Sequence, residues 1–381
     1  MFAPVHGYVS IETFEIRKEF VIRLDTIAER LDLDLSEKQG EITLERRALI
    51  EKEVGQWLSG KCPLTVDGRQ LEMVLDRVHF VRPDPVKGMV IEESETVIAN
   101  KALLGVVFAA ALDGPVKKVG IQWQVFPVDG SAAIVSIGTR ENKVTKKVSV
   151  DAPAVDWTSK GELKIPELLD LPVPPPMDFV TIPLLSVLAG LFVLVLMVVA
   201  VRLADKTPAW LGVLVVVMLA LAILGRDQIK IQLAGQATPV SPELADEVVY
   251  ALLKNTYRAF DYRKESDVYD VLAKSVAGEL LTKVYLEVQK SLELESQGGA
   301  RAKVYELDLR KCELGQWENN QNIGFKAKCS WVAIGTVTHW GHTHDRVNRY
   351  EAQLVVEVVE GQWKLHALDL LNQERTERKR P

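Results

Sequence analysis

Three of the six histidines in this chain fall close together, as His339, His342 and His344, and Asp345 follows them directly. Three neutral imidazoles and a carboxylate in an H-x-x-H-x-H-D spacing suit zinc, copper or nickel, provided a short turn brings the rings together. The stretch is expected to be the turn between the second and third strands of a C-terminal sheet. Against metal binding, His342 and His344 have the same parity and can both point to water, while Trp340 and Arg346 read as ordinary hairpin-end residues. The expectation is therefore a solvated polar turn without tightly bound metal, contacting a partner or closing the end of its domain. A metal carrier or enzyme using His339, His342, His344 and Asp345 is the alternative. His6 and His79 stand alone and read as locally bonded. No G-x-S-x-G, H-E-x-x-H or P-loop pattern occurs, so no catalytic residues are assigned, no cofactor is expected, and the chain reads as a binding protein rather than an enzyme.

Cys62, Cys312 and Cys329 are too few for a disulfide framework and lack C-x-x-C spacing. Cys312 and Cys329 nevertheless fall in neighbouring strand candidates. If Leu307 and Leu309 share a face with Val332 and Ile334, and the turn is centred in Trp317–Asn322, then Leu309 opposes Val332 and Leu307 opposes Ile334. Cys312 then opposes Cys329. In an oxidising compartment that pair can form a disulfide. Tyr257, Tyr262, Tyr269, Trp331 and Trp363 are the aromatic candidates for a pocket, set against ordinary core or rim packing.

The elements that position these residues fall into distinct stretches. The 381 residues carry 46 Lys+Arg against 52 Asp+Glu, a formal charge of -6, so no global basic field exists to hold nucleic acid. Residues 1–164 read as a mainly-β domain, a sandwich of short strands with one helix over Arg46–Leu58 and an Asp67-Gly68 hairpin turn. Residues 165–178 are a proline-rich linker in which Pro172, Pro174, Pro175 and Pro176 favour polyproline II. Phe179–Val201 is a run of 23 uncharged residues, 16 of them Leu, Ile, Val or Phe, and Pro208–Gly225 is a second run of 18. As helices they would be about 35 and 27 Å long, against a hydrocarbon core of about 30 Å. Residues 179–201 and 208–225 are accordingly expected as a transmembrane hairpin, joined by Arg202–Thr207. The chain would then be a multi-pass inner-membrane protein with both other domains on one side. The acidic, proline-rich approach to the first helix favours the periplasmic side. Residues 226–240 form a second linker, and 372–381 a charged tail.

Residues 241–371 run helices first and strands afterwards, from a Ser241-Pro242 start. The phrases Leu253-Lys-Asn-Thr-Tyr-Arg-Ala-Phe260 and Gly361-Gln-Trp-Lys-Leu-His-Ala-Leu-Asp-Leu370 resemble the nuclear-transport-factor-like family, which implies a cone-shaped α+β fold over most of this stretch. Members of that family include both enzymes and binding modules, so the resemblance does not choose between them. The stretch Ile16–Ile27 with the following helix and Asp-Gly hairpin is similar to the extracytoplasmic β-domain of nickel/cobalt permease-type proteins. That implies an outside location but no transport. Together these readings describe a multidomain membrane protein acting as a membrane-anchored binding or scaffold protein, an accessory subunit of a bacterial envelope complex. Its expected partners are the lipid bilayer and a protein partner or a second copy.

Overall fold

The computed structural model describes residues 4–33, 40–84, 88–202, 209–224, 230–237, 239–296, 301–318, 322–339 and 342–377. The first unit opens with β1 (Val5–Ile11) and β2 (Glu15–Arg23), an antiparallel pair, and continues through β3 (Glu41–Thr43) into α1 (Leu44–Leu58). Thr43 caps α1, its hydroxyl accepting from the Arg46 N–H, and the helix buries Ile50, Val54 and Leu58. β4 (Leu64–Val66) and β5 (Arg69–Leu71) form the hairpin marked by Asp67-Gly68, with φ of +48° and +84° at the two turn residues. There follow β6 (Val74–Asp84), β7 (Gly88–Ile91), β8 (Thr96–Ile98), β9 (Leu103–Ala111), β10 (Lys118–Gln122), β11 (Ala133–Gly138), β12 (Lys143–Val148) and β13 (Ala154–Thr158).

Seven of these strands make one sheet in the order β12-β11-β1-β2-β9-β6-β7, and four make a second in the order β13-β10-β4-β5. The two sheets share one apolar core. Ile16, Phe20 and Ile22 on β2 alternate into it beside Phe108, Trp123 and Trp157. Trp123 packs so closely over β1 that a Cβ at Gly7 would stand 2.2 Å from its ring, so only glycine fits there.

β14 (Met177–Pro183), α2 (Leu184–Arg202), α3 (Ala209–Leu224) and β15 (Lys230–Ala237) come next. β14 pairs antiparallel with β15, and α2 packs on α3, with the Ser186 hydroxyl donating to the Ala222 carbonyl at 2.7 Å. The transmembrane reading is corrected here. Residues 177–183 are strand, because Val180-Thr181-Ile182 are β-branched and Pro183 disfavours helix at the residue before it. The helix that follows has 19 residues and its neighbour 16, about 28 and 24 Å at the helical rise, both shorter than the apolar runs from which the hairpin was expected. Among the described residues no helix is long and apolar enough to cross a membrane. The two-helix transmembrane hairpin, and the multi-pass inner-membrane placement drawn from it, are therefore not supported.

The last unit contains α4 (Pro242–Arg258), α5 (Glu265–Ala273) and α6 (Gly278–Ser296), then β16 (Arg301–Leu314), β17 (Gly324–His339), β18 (His342–Val359) and β19 (Gln362–Glu377). Ser241 caps α4 by accepting from the Leu244 N–H. The four strands form one antiparallel sheet in sequence order. Val248, Leu252, Val268 and Leu272 from the helices pack with Phe325, Leu354 and Trp363 from the strands. Among the described residues the architecture is thus many strands in several sheets with six α-helices, in place of the fold class read around a transmembrane hairpin.

Candidate functional site

The structure scatters the residues singled out in the sequence. β18 begins at His342, so the stretch expected as a turn is largely strand: His339 opposes His342 in the last rung and His344 opposes Val337. The side chains of these three histidines lie outside the described residues. Asp345 pairs with Arg140 of the first unit at 3.3 Å. Among the described residues no group of three or more His, Cys, Asp and Glu is placed to hold a metal ion.

Cys312 opposes Cys329, with Cα atoms 4.1 Å apart, and the two sulfurs are bonded. The flanking register differs from the expected one. An irregularity between Leu309 and Lys311 sets Leu309 opposite Trp331 and Leu307 opposite Ala333. The aromatic candidates serve separate purposes. Trp331 donates from its ring N–H to the Tyr257 hydroxyl at 3.1 Å and stacks on Tyr350. Burial raises the Tyr257 hydroxyl pKa well above the usual tyrosine range. Trp363 is fully buried against Phe325, and Tyr269 is largely exposed, edge-on to Tyr285. Only Tyr262, of these five, reaches the other unit: its ring stacks on Phe14 at 4.2 Å.

That stack marks a seam of charges that the sequence reading passed over. Ile16, Lys18, Phe20 and Ile22 take one face of β2, and Glu15, Arg17, Glu19 and Val21 the other. The second face is closed as well, with Glu15, Arg17 and Glu19 only 1%, 2% and 0% exposed. Neighbouring β9 places Ala111, Ala109 and Val107 opposite these three, so small side chains leave room for long ones to lie across the sheet. On β6 a bulge makes Asp76 the extra residue between Leu75 and Arg77. Bulges re-aim side chains, and here Asp76 and Arg77 pair with each other at 3.1 Å.

From the last unit, the link between α4 and α5 meets this face with three consecutive residues. Tyr262 stacks on Phe14, Arg263 spans two carboxylates, and Lys264 pairs with Asp113. The Arg263 guanidinium lies 2.9 Å from Glu15 and 3.0 Å from Asp76. Glu12 pairs with both Arg17 and Lys303. Four carboxylates, Glu12, Glu15, Glu19 and Asp76, thus face four cations, Arg17, Arg77, Arg263 and Lys303, in a neutral set. A cleft of about 250 Å³ opens beside it, lined by Glu12, Phe14, Arg140 and Glu162 from the first unit and by Asp261 and Lys303 from the last.

No family model and no curated protein matches the chain. Among solved structures, the intermembrane space region of the chloroplast protein ARC6 aligns at 16% identity with a TM-score of 0.26, covering 35% of this chain and 98% of that one. A de novo designed β-sheet protein aligns at 13% identity with a TM-score of 0.17, covering 36% of this chain and 89% of its own. Likenesses at these scores carry no assignment.

Chemically, the carboxylates of the seam are tied to guanidinium and ammonium groups rather than held free for acid–base work. Two buried groups of the first unit, Lys18 and Cys62, are quiet as well. Lys18 donates to the Lys61 and Cys62 carbonyls at 2.6 and 3.1 Å, and burial lowers its pKa. Burial likewise pushes the Cys62 thiol up to about 11, which keeps it protonated and unreactive. His79 stands 4.0 Å from Glu51, with its pKa lowered by burial and by Arg77.

Proposed function

We propose that the chain is a binding or scaffold protein, an accessory subunit of a larger assembly, in which two modules act as one body and the α2–α3 hairpin is the attachment surface. The observation that carries this reading is the hairpin's exposed side. Val187, Leu188, Leu191, Phe192, Leu194 and Val195 on α2, with Val213, Val216, Val217 and Leu221 on α3, all remain largely exposed. A contiguous apolar surface of that extent calls for a covering partner. The charged seam supports the reading from the other direction, because paired charges fix orientation and register between docked surfaces.

The test is isolation of the full chain from its native source under mild conditions, with co-purifying chains and bound metal measured together. A stoichiometric partner protein, lost when Leu191 and Leu194 are replaced by serine, is the expected result. Association with lipid vesicles alone and no protein partner overturns the subunit reading. Stoichiometric zinc or copper that disappears in His342→Ala and His344→Ala variants would instead promote the metal-carrier alternative.

A further inference from the structure

Residues 162–176 have no regular secondary structure, yet they are not a free tether. Glu167, Asp170, Val173 and Pro176 are exposed, whereas Leu168, Leu169, Leu171, Pro172, Pro174 and Pro175 are partly covered. Exposure therefore returns at every third residue. That is the repeat of a polyproline II helix, which has three residues per turn, lying with one edge toward water and two edges against protein. Leu168 and Leu171 pack on the apolar core of the last unit.

One polar side chain of that unit grips the strap. Asn255 on α4 is 3% exposed. Its Oδ1 accepts from the Leu169 N–H at 2.8 Å, and its Nδ2 donates to the Leu169 carbonyl at 3.0 Å. A carboxamide bonded to both polar groups of one residue reads main chain and not side chain, as a neighbouring β-strand would. A buried amide is costly when unpaired, so this position is suited to an extended peptide.

We propose that the α4 surface around Asn255 is a recognition groove for an extended, leucine- and proline-rich peptide. Residues 165–176 are its built-in occupant, and a segment of the same chemistry on a partner chain exchanges with them. Extended proline-rich segments suit such exchange because they are preformed and lose little entropy on docking. The strap also runs directly into β14 at Met177, so its release would free the approach to the α2–α3 hairpin.

The experiment uses the full chain and a labelled synthetic peptide, IPELLDLPVPPP, copied from residues 165–176. Weakening the built-in strap by Leu168→Ser with Leu171→Ser should tighten peptide binding about tenfold or more, because the tethered competitor holds a high effective concentration. Adding Asn255→Ala to that variant should remove about tenfold or more, by loss of both amide bonds. No binding by the folded strap variant, or equal binding of a peptide with its leucines replaced by serine, overturns the proposal. Amide exchange on the unaltered chain gives a reading that does not depend on that variant folding. The Leu169 N–H should be protected, and excess peptide should expose it. An unprotected Leu169, or one whose protection excess peptide leaves unchanged, also overturns the proposal.

Discussion

Single residues in this protein separate by whether their polar atoms found a partner during burial. Cys62 is buried with its thiol pushed to about 11, and Cys312 is bonded to Cys329. Of three cysteines, thiol titration in denaturant without reductant should therefore find one, and titration of the native protein none. Cys312→Ser should lower stability by about 3 kcal/mol, the loop-entropy value for a crosslink of this span, seen as an earlier urea midpoint. The opposition of these cysteines was expected from the sequence and is found, although the leucine pairings it was derived from are not. The exact partners of Leu307 and Leu309 were not legible, since the irregularity between Leu309 and Lys311 has no glycine or proline to announce it.

His79 supplies a pH dependence at the same scale. Its pKa is depressed in the folded chain, by burial and then by Arg77, so below about pH 6.5 the unfolded chain takes up a proton that the folded one refuses. Its contribution is intact above that value and is lost as pH falls through the folded pKa. Glu51 nearby, raised by burial, acts in the opposite sense at lower pH. Comparing urea midpoints of the native chain and His79→Asn across this window isolates the histidine. An equal loss in both proteins would remove His79 as the cause.

Among the elements, turns were the most readable. Asp67-Gly68 between two apolar runs announces its hairpin, and both residues adopt positive φ. A Cβ at Gly68 would meet nothing within 4 Å, so Gly68→Ala isolates the backbone cost. It should destabilise by about 1 kcal/mol with no change in denaturant slope. Helix α1 was readable to within two residues of its start because its apolar positions repeat at helical spacing. The stretch from Phe179 misled for the opposite reason. A continuous apolar run has no period to read, and the extended preference of Val180-Thr181-Ile182-Pro183 was hidden inside it. The histidine-rich stretch failed similarly: Thr343, His344 and Asp345 look like turn residues but pair with Thr338, Val337 and Thr336.

At the scale of the whole molecule, the seam between the units was illegible in the sequence. Glu15, Arg17 and Glu19 alternate with Ile16, Lys18 and Phe20, close to the pattern of a strand with one wetted face. What closes that face includes the Tyr262-Arg263-Lys264 link, about 250 residues away in sequence, and no local signal encodes such a meeting. Arg263→Ala leaves Glu15 and Asp76 facing each other with one cation fewer. It should cost about 3 kcal/mol, at the low end for a broken buried pair because the guanidinium is 22% exposed. Arg263→Lys should recover part of this only, since an ammonium lacks the planar fork that spans two carboxylates. The first unit's thermal transition should fall in both variants, and an unchanged transition would mean that the seam adds nothing to it.

The ribbon of β14 and β15 gives the chain one further property. Met177 and Ala237 are paired neighbours in it, so the polypeptide leaves the two units and returns to them at nearly the same point. Everything between is a closed excursion, joined to the remainder through a doorway about 5 Å wide. Such a segment behaves as an insertion, which a short turn could replace without redirecting the chain on either side. A version shortened in this way should retain the seam, the strap and the Cys312–Cys329 bond while losing the apolar hairpin. The hairpin would then be a transferable cassette, acquired or discarded independently of the units that carry it.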